Sequence, residues 1–261
     1  MTNPRPVTLI TGASAGIGVA LAQVFAAHGH ELVLIARREP RLVRLADEIA
    51  DQGRPRPIVL PLDLERPDAV ARIDEALAAQ GMEPDVVVNN AGFGLLGQAS
   101  VRDRAEQLAM VDLNVRALTD LSLAWVDSLV RHRGGILNVA SIASFLPGPH
   151  MAVYHASKAY VLSFSEALHR ELKPRGVRVT ALCPGPVPTE FQERAGIAKK
   201  INRSVLTRSA EQVALEGYRG LEAGRRLVVP GLPNKALSVL SRLAPRALVL
   251  ALADRHHRDR G

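Results

Sequence analysis

Short runs of consecutive aliphatic and β-branched residues alternate along this chain with longer stretches whose apolar positions recur every three or four residues. That alternation predicts βαβ units and hence a parallel sheet. The strand-like runs are 7–11, 31–36, 57–62, 85–89, 135–140, 177–183 and 226–229. Several, such as ELVLIA and DVVVNN, are apolar at nearly every position, the pattern of strands covered on both faces. The expected architecture is an α/β doubly wound parallel sheet of about seven strands with helices on both faces. Residues 103–133 predict one long helix carrying Leu108, Val111, Val115, Leu118, Leu121, Trp125 and Leu129 on one stripe, a surface for packing on the sheet or on a second subunit. No repeat, low-complexity tract or Gly/Ser linker interrupts the pattern, so 1–261 reads as a single domain. The least regular stretch, 184–209, follows the sixth strand at the carboxyl edge where such sheets bind ligands. It is expected to be a loop that covers the substrate.

Composition narrows the class. A length of 261 residues suits one domain, and 47% apolar residues with only 3% aromatics mean a core of Leu, Val, Ile and Ala. No run of about 18 apolar residues is present, which excludes a spanning helix of ordinary length. The N-terminus enters a strand at once, leaving no signal-like segment. A single cysteine, Cys183, forms no internal disulfide and reads as a small buried hydrophobe; a cytoplasmic location is expected.

The net charge of +7 raises nucleic acid as a partner, but residues 225–261 hold eight Lys/Arg against two acids. The excess therefore sits in a C-terminal extension rather than in a basic groove with aromatics, and no nucleic-acid role is expected. That extension, 233–261, is divided by Pro245 into two expected helices. A basic amphipathic segment can lie on an anionic membrane; packing over the pocket or on a neighbouring subunit is the favoured expectation. His256 and His257 are adjacent with no third ligand at metal spacing, so no metal is expected.

The first strand runs directly into Thr11-Gly12-Ala13-Ser14-Ala15-Gly16-Ile17-Gly18 and then a helical segment. Glycine lets the backbone turn tightly and approach a diphosphate, and the helix N-terminus offers unpaired N–H groups to the anion. Strand before and helix after make this a Rossmann-type dinucleotide site. At the end of the second strand, NAD sites usually place an acid for the ribose hydroxyl and NADP sites an arginine for the 2′-phosphate. Here Ala36 is followed by Arg37 and Arg38, which predicts NADP(H). Arg37 is the favoured contact, because Glu39 can pair with one of the two. Asp63, followed by Leu64 at the edge of the third strand, is expected at the adenine or, alternatively, as a helix N-cap.

Tyr154 and Lys158 stand one helical turn apart on one face. A nearby ammonium favours the phenolate and brings tyrosine toward the range of general acid–base catalysis. Ser141 follows the fifth strand at the same sheet edge, and Asn114 lies inside the long helix.

The TGASAGIG run, Asn89-Asn90-Ala91-Gly92, Asn114, Ser141, Tyr154, Lys158 and Pro184-Gly185 together resemble the short-chain dehydrogenase/reductase family, in its compact T-G-x-x-x-G-x-G and Y-x-x-x-K branch. The resemblance covers about 7–229, with every motif in order; Ser141 precedes Tyr154 by 13 residues and follows Asn114 by 27. It implies that Tyr154 exchanges the proton with the substrate oxygen, which Ser141 hydrogen-bonds. Lys158 would hold the nicotinamide ribose and lower the tyrosine pKa, and Asn114 would hold a relay water. Asn90, Ala91 and Gly92 would line the cofactor, and Pro184, Gly185, Val187 and Thr189 would hold its carboxamide. Hydride passes between nicotinamide and carbonyl carbon, so the protein supplies position and proton. The chain departs from relatives at Ala15, where some NADP users carry a basic residue, and at Ala140, where a second serine is common.

Apolar residues expected near the reacting carbon are Phe93, Leu95, Leu96, Ile142, Phe145, Leu146, Met151 and Phe191, about half of them as core. They favour a small hydrophobic ketone or aldehyde, and its alcohol, as substrate pair. A homodimer or homotetramer is expected. Two further readings stay open: a 3-oxoacyl-thioester reductase of the same family, and a catalytically silent NADP(H)-binding regulator, which intact Tyr154 and Lys158 disfavour.

Overall fold

A computed structural model describes residues 4–197 and 205–258. Parts of the expected substrate loop (198–204) and basic tail (259–261), together with 1–3, lie outside the described residues. Seven parallel strands form one sheet: β1 (Arg5–Thr11), β2 (Leu32–Ala36), β3 (Ile58–Pro61), β4 (Met82–Asn89), β5 (Gly135–Val139), β6 (Arg178–Leu182) and β7 (Leu227–Val228). Their spatial order is β3-β2-β1-β4-β5-β6-β7, the doubly wound arrangement that the sequence pattern predicts. The order reverses between β1 and β4, and a crevice opens at the carboxyl ends there.

Alternation along each strand sends neighbouring residues to opposite layers. On one face Ile10, Leu34, Val88, Leu137 and Leu182 pack on α1 (Gly16–Ala27), α2 (Glu39–Asp51) and α9 (Ala210–Glu222) through Phe25, Leu42, Ile49 and Val213. On the other, Leu9, Val33, Val87, Ile136 and Val179 meet α3 (Ala69–Ala78) and α7 (Ala152–Leu172) through Ile73, Leu77, Leu168 and Leu172. Both faces of the sheet are covered by apolar side chains, which explains the unbroken apolar runs. Cys183, just past β6, is buried and unpaired as expected.

The stretch 103–133 is not one helix. Asp103 caps α4 (Arg104–Val111) by accepting from the Glu106 amide at 2.8 Å. A π-helical turn, Asp112–Ala117, then leads into α5 (Leu118–Ala124), and α6 (Val126–Arg131) follows a break. At the break Trp125 leaves helical geometry (φ −120°, ψ 28°), and its indole N–H donates to Asp74 Oδ1 on α3 at 2.6 Å. The predicted stripe is divided accordingly: Leu118, Leu121, Trp125 and Leu129 are buried, whereas Leu108 and Val111 face solvent.

Pro245 separates α10 (Leu232–Leu243) from α11 (Arg246–Arg258), as predicted. Among the described residues no helix is long and apolar enough to cross a membrane, and no cluster of metal-ligating side chains occurs.

Candidate active site

The crevice beside β1 begins with the glycine turn. Thr11 Oγ1 donates to the Val88 carbonyl (3.1 Å) and accepts from the amides of Asn90 (2.9 Å) and Ala91 (3.0 Å). Asn90 Nδ2 reaches back to the Thr11 carbonyl at 2.9 Å, so the end of β4 clamps the turn after β1. A Cβ on Gly18 would stand 2.2 Å from the Gly12 carbonyl oxygen and 2.6 Å from Asn90 Nδ2; only glycine fits there. Ala15 caps α1 without a side-chain hydrogen bond, and the first turn carries no acid. Its free N–H groups therefore face a crevice lined by Gly12, Ser14, Ala15, Gly16 and Ile17, a site suited to an anion. Thr189 closes the opposite wall, so near Gly16 that a Cβ there would lie 2.8 Å from its Cγ2.

At the end of β2 both Arg37 and Arg38 line the crevice, but they are held differently. Arg38, not Arg37, is held against the glycine loop, its Nε and Nη2 donating to Ser14 Oγ at 3.2 and 3.1 Å. Arg37 instead leans toward Asp63 and Glu65, at 3.8 Å from each. The acid that pairs with Arg38 is Glu190, at 2.7 Å, rather than the adjacent Glu39. Arg41 binds the other oxygen of the same carboxylate. These two guanidiniums hold the Glu190 carboxyl below its ordinary range. Asp63 caps no helix: its Oδ1 accepts from the Glu65 amide at 3.1 Å, and the N-cap of α3 is Asp68. Asp63 and Leu64 line the crevice, as do Asn90, Ala91, Gly92, Pro184, Gly185 and Val187.

Ser141, Tyr154 and Lys158 share the far wall of the same cleft, whose volume is about 1240 Å³. Ser141 stands just past β5, its hydroxyl accepting from the Ala143 amide at 3.1 Å. Tyr154 and Lys158 project from the first two turns of α7. Lys158 is buried and donates from Nζ to the Val139 carbonyl at the end of β5, 2.8 Å away. Burial pushes its pKa down to about 8 and the Tyr154 phenol up to about 12, with the hydroxyl of Ser141 drawing the phenol back. Desolvation is the largest cause of the phenol's rise, and Ser141 is the group that opposes it.

Asn114 and Gly18 sit behind the cleft rather than on its surface. Asn114 is fully buried in the π-turn. Its Oδ1 accepts from the Phe93 amide (3.1 Å), while Nδ2 donates to the Phe93 carbonyl (2.9 Å) and to Ser157 Oγ (3.1 Å). Ser157 in turn donates to the Tyr154 carbonyl at 2.7 Å. Asn114 thus ties the loop after β4 to the helix that bears the tyrosine. Ser157, Arg41 and Glu190 escaped the sequence reading. Arg41 had a signal, one turn past Arg38; Glu190 had none, since its partners lie about 150 residues upstream.

Of the eight apolar candidates, Phe93, Ile142, Leu146, Met151 and Phe191 line the cleft. Phe145 and Leu95 are core, packed with Val161 and with Met110 respectively, and Leu96 is buried off the cleft. Phe191, on α8 (Phe191–Ala195), lies over Tyr154 with ring centres 5.4 Å apart. The tail completes the wall with Leu237, His256 and His257. It is fastened there by His257 Nδ1 with the Pro149 carbonyl (2.7 Å) and by His150 Nε2 with Asp254 (3.1 Å), the pocket-covering placement expected for it.

Residues 6–200 match the family described as short chain dehydrogenase. The chain is 38% identical over 188 residues to sulfoacetaldehyde reductase 2 of Chromohalobacter salexigens, covering 71% of this chain and 74% of that protein. It is 32% identical over 242 residues to 17-beta-hydroxysteroid dehydrogenase type 3 of Rattus norvegicus, covering 91% and 76%. A solved short-chain dehydrogenase from Sphingobium yanoikuyae in complex with NADPH superposes with a TM-score of 0.79 at 34% identity, covering 87% of this chain and 88% of that one.

The close approach at Gly18 has a measurable cost. Gly18→Ala is expected to lower urea stability by about 1–3 kcal/mol more than Gly29→Ala, since a Cβ at Gly29 meets nothing within 4 Å and suffers only its φ of +84°. Equal losses would contradict the packed turn.

Proposed function

Because the chain belongs to the short-chain dehydrogenase/reductase family, we propose that it is an NADP(H)-dependent oxidoreductase that reduces a hydrophobic ketone or aldehyde to the alcohol. The carrying observation is that Ser141, Tyr154 and Lys158 occupy one wall of a cleft whose other wall is a glycine turn built for a diphosphate. The residues fit a dinucleotide. The N–H groups at the start of α1 would take the diphosphate, Asp63 and Leu64 the adenine, and Pro184 to Thr189 the carboxamide.

Bound NADPH supplies the hydride, which goes to the carbonyl carbon. Ser141 donates a hydrogen bond to the carbonyl oxygen and polarises it. Tyr154 gives its phenolic proton to that oxygen as negative charge grows there. A phenol held near 12 stays protonated at all ordinary pH, which suits an acid in the reducing direction better than a base in the oxidising one. Lys158 would bind the nicotinamide ribose hydroxyls and return the lost proton. Both amide hydrogens of Asn114 are taken by Phe93 and Ser157, so a relay water there would bind to an oxygen of that residue.

NADP(H) rather than NAD(H) is supported by Arg38, Arg41 and Ser14 converging beside Ala36, and by the NADPH-bound relative. A 2′-phosphate carries more charge than the Glu190 carboxylate and competes for the same two guanidiniums. Exposed Leu108, Val111, Leu123 and Tyr160 on α4, α5 and α7 support assembly with further copies of the chain.

Tyr154→Phe is expected to lower NADPH-driven reduction of aromatic and long-chain ketones by at least about a hundredfold, the scale of a general acid's contribution. NADPH affinity measured by fluorescence titration should stay within a few-fold; a near-normal rate would refute the mechanism, whereas a silent regulator would show no rate to lose. Ala36→Asp with Arg38→Ala should move the kcat/KM ratio toward NADH by roughly tenfold or more. An unchanged ratio would remove Arg38 from the phosphate site.

A further inference from the structure

The two tail helices dock with the wrong face inward for self-packing. In α10 the buried positions are Asn234, Ser238 and Ser241, and in α11 Val249, Ala253 and His257. A helix that exists to complete a core buries its leucines. Here Leu240, Leu243, Leu248 and Leu252 point to solvent, Leu243 at 78% exposure and Leu240 at 62%. Single exposed leucines need no explanation, but four on two consecutive helices do.

Cations accompany these leucines. Lys235, Arg246 and Arg255 are exposed on the same two helices, as are Arg242, stacked over Phe145, and Arg258, paired with Asp254. The one acid described there, Asp254, is already paired with His150 and Arg258. Residues 225–261 carry a surplus of six positive charges, eight Lys/Arg less two Asp, so the rest of the chain is close to neutral. A second copy set against this face would bring equal cationic surfaces together. An anionic surface that also accepts leucine side chains satisfies both features at once.

We propose that α10 and α11 form a monotopic docking surface for anionic phospholipid bilayers. The leucines enter the acyl boundary, and the lysine and arginines meet the headgroups. Neither helix spans; the contact is parallel to the membrane plane. Leu237, half exposed on α10, also lines the cleft, so the opening is held at the level of the lipid.

The test is co-sedimentation of the full-length protein with sucrose-loaded vesicles, either phosphatidylcholine alone or phosphatidylcholine mixed with phosphatidylglycerol. The protein is expected to pellet with the mixed vesicles, to remain in the supernatant with neutral ones, and to be released progressively by salt. Leu240→Ser/Leu243→Ser/Leu248→Ser and, separately, Arg246→Gln/Arg255→Gln should each weaken binding on the order of tenfold or more. These residues lie outside the catalytic and cofactor sites, so circular dichroism and ketone reduction should be unchanged and report folding. A wild-type chain that ignores the mixed vesicles overturns the proposal. So does binding that neither set of substitutions weakens, or a dimer in light scattering that the serine variant breaks while vesicles bind nothing.

Discussion

A lysine ammonium buried at the carboxyl end of β5 is the constraint around which this site is built. Its Nζ donates to the Val139 carbonyl, and a buried cation is tolerated only where such partners offset its desolvation. Ser144 Oγ holds the main chain of Lys158 from the loop after β5 at 2.7 Å. Asn114 and Ser157 hold the preceding turn of α7 from the other side. The same supports place Tyr154 one turn earlier, beside Ser141. Under the proposed function, the sheet edge supplies the position, α7 the acid, and burial sets the protonation state of both titratable groups.

Enclosure comes from segments outside the sheet. Phe191 roofs Tyr154 from the loop after β6, and the tail reaches the cleft through Leu237 and His257. Glu190 sits one residue before that roof and grips Arg38 and Arg41. Under the proposed function, the end of the crevice that would recognise a phosphate and the end that would cover a substrate are thus joined by a single short segment. Competition between a cofactor phosphate and this carboxylate would be felt directly at Phe191.

What was legible in the sequence follows from where local and global demands agree. Strands buried on both faces read as unbroken aliphatic runs, and all seven were recognisable; only their ends differ, as where β4 begins at Met82 rather than Asp85. The glycine turn was legible because a Cβ at Gly18 has nowhere to go. Residues whose role depends on tertiary partners were not. The 3.6-residue period between 103 and 133 gave no sign of the π-turn or of the break that Asp74 draws out of Trp125. The different placements of Arg37 and Arg38 rest on Asp63, Glu65 and Glu190, none of which neighbours the two arginines in sequence. Apolar periodicity in the tail identified the helices correctly, but it assigned their leucines no side, and the structure turns them outward. The pairing of Tyr154 with Lys158 was visible, whereas its electrostatics were not, because desolvation is a property of the folded cleft.

The central claim is that an ammonium depressed by burial must stay protonated to return the proton that the tyrosine gives up. Its most direct test is the pH dependence of steady-state ketone reduction over many turnovers at saturating NADPH. The rate should be level at low and neutral pH and fall with one ionisation near the value of about 8 set for Lys158, the phenol contributing no break in that range. A rate that stays level up to the ordinary lysine value of 10.5 would contradict the buried-cation arrangement.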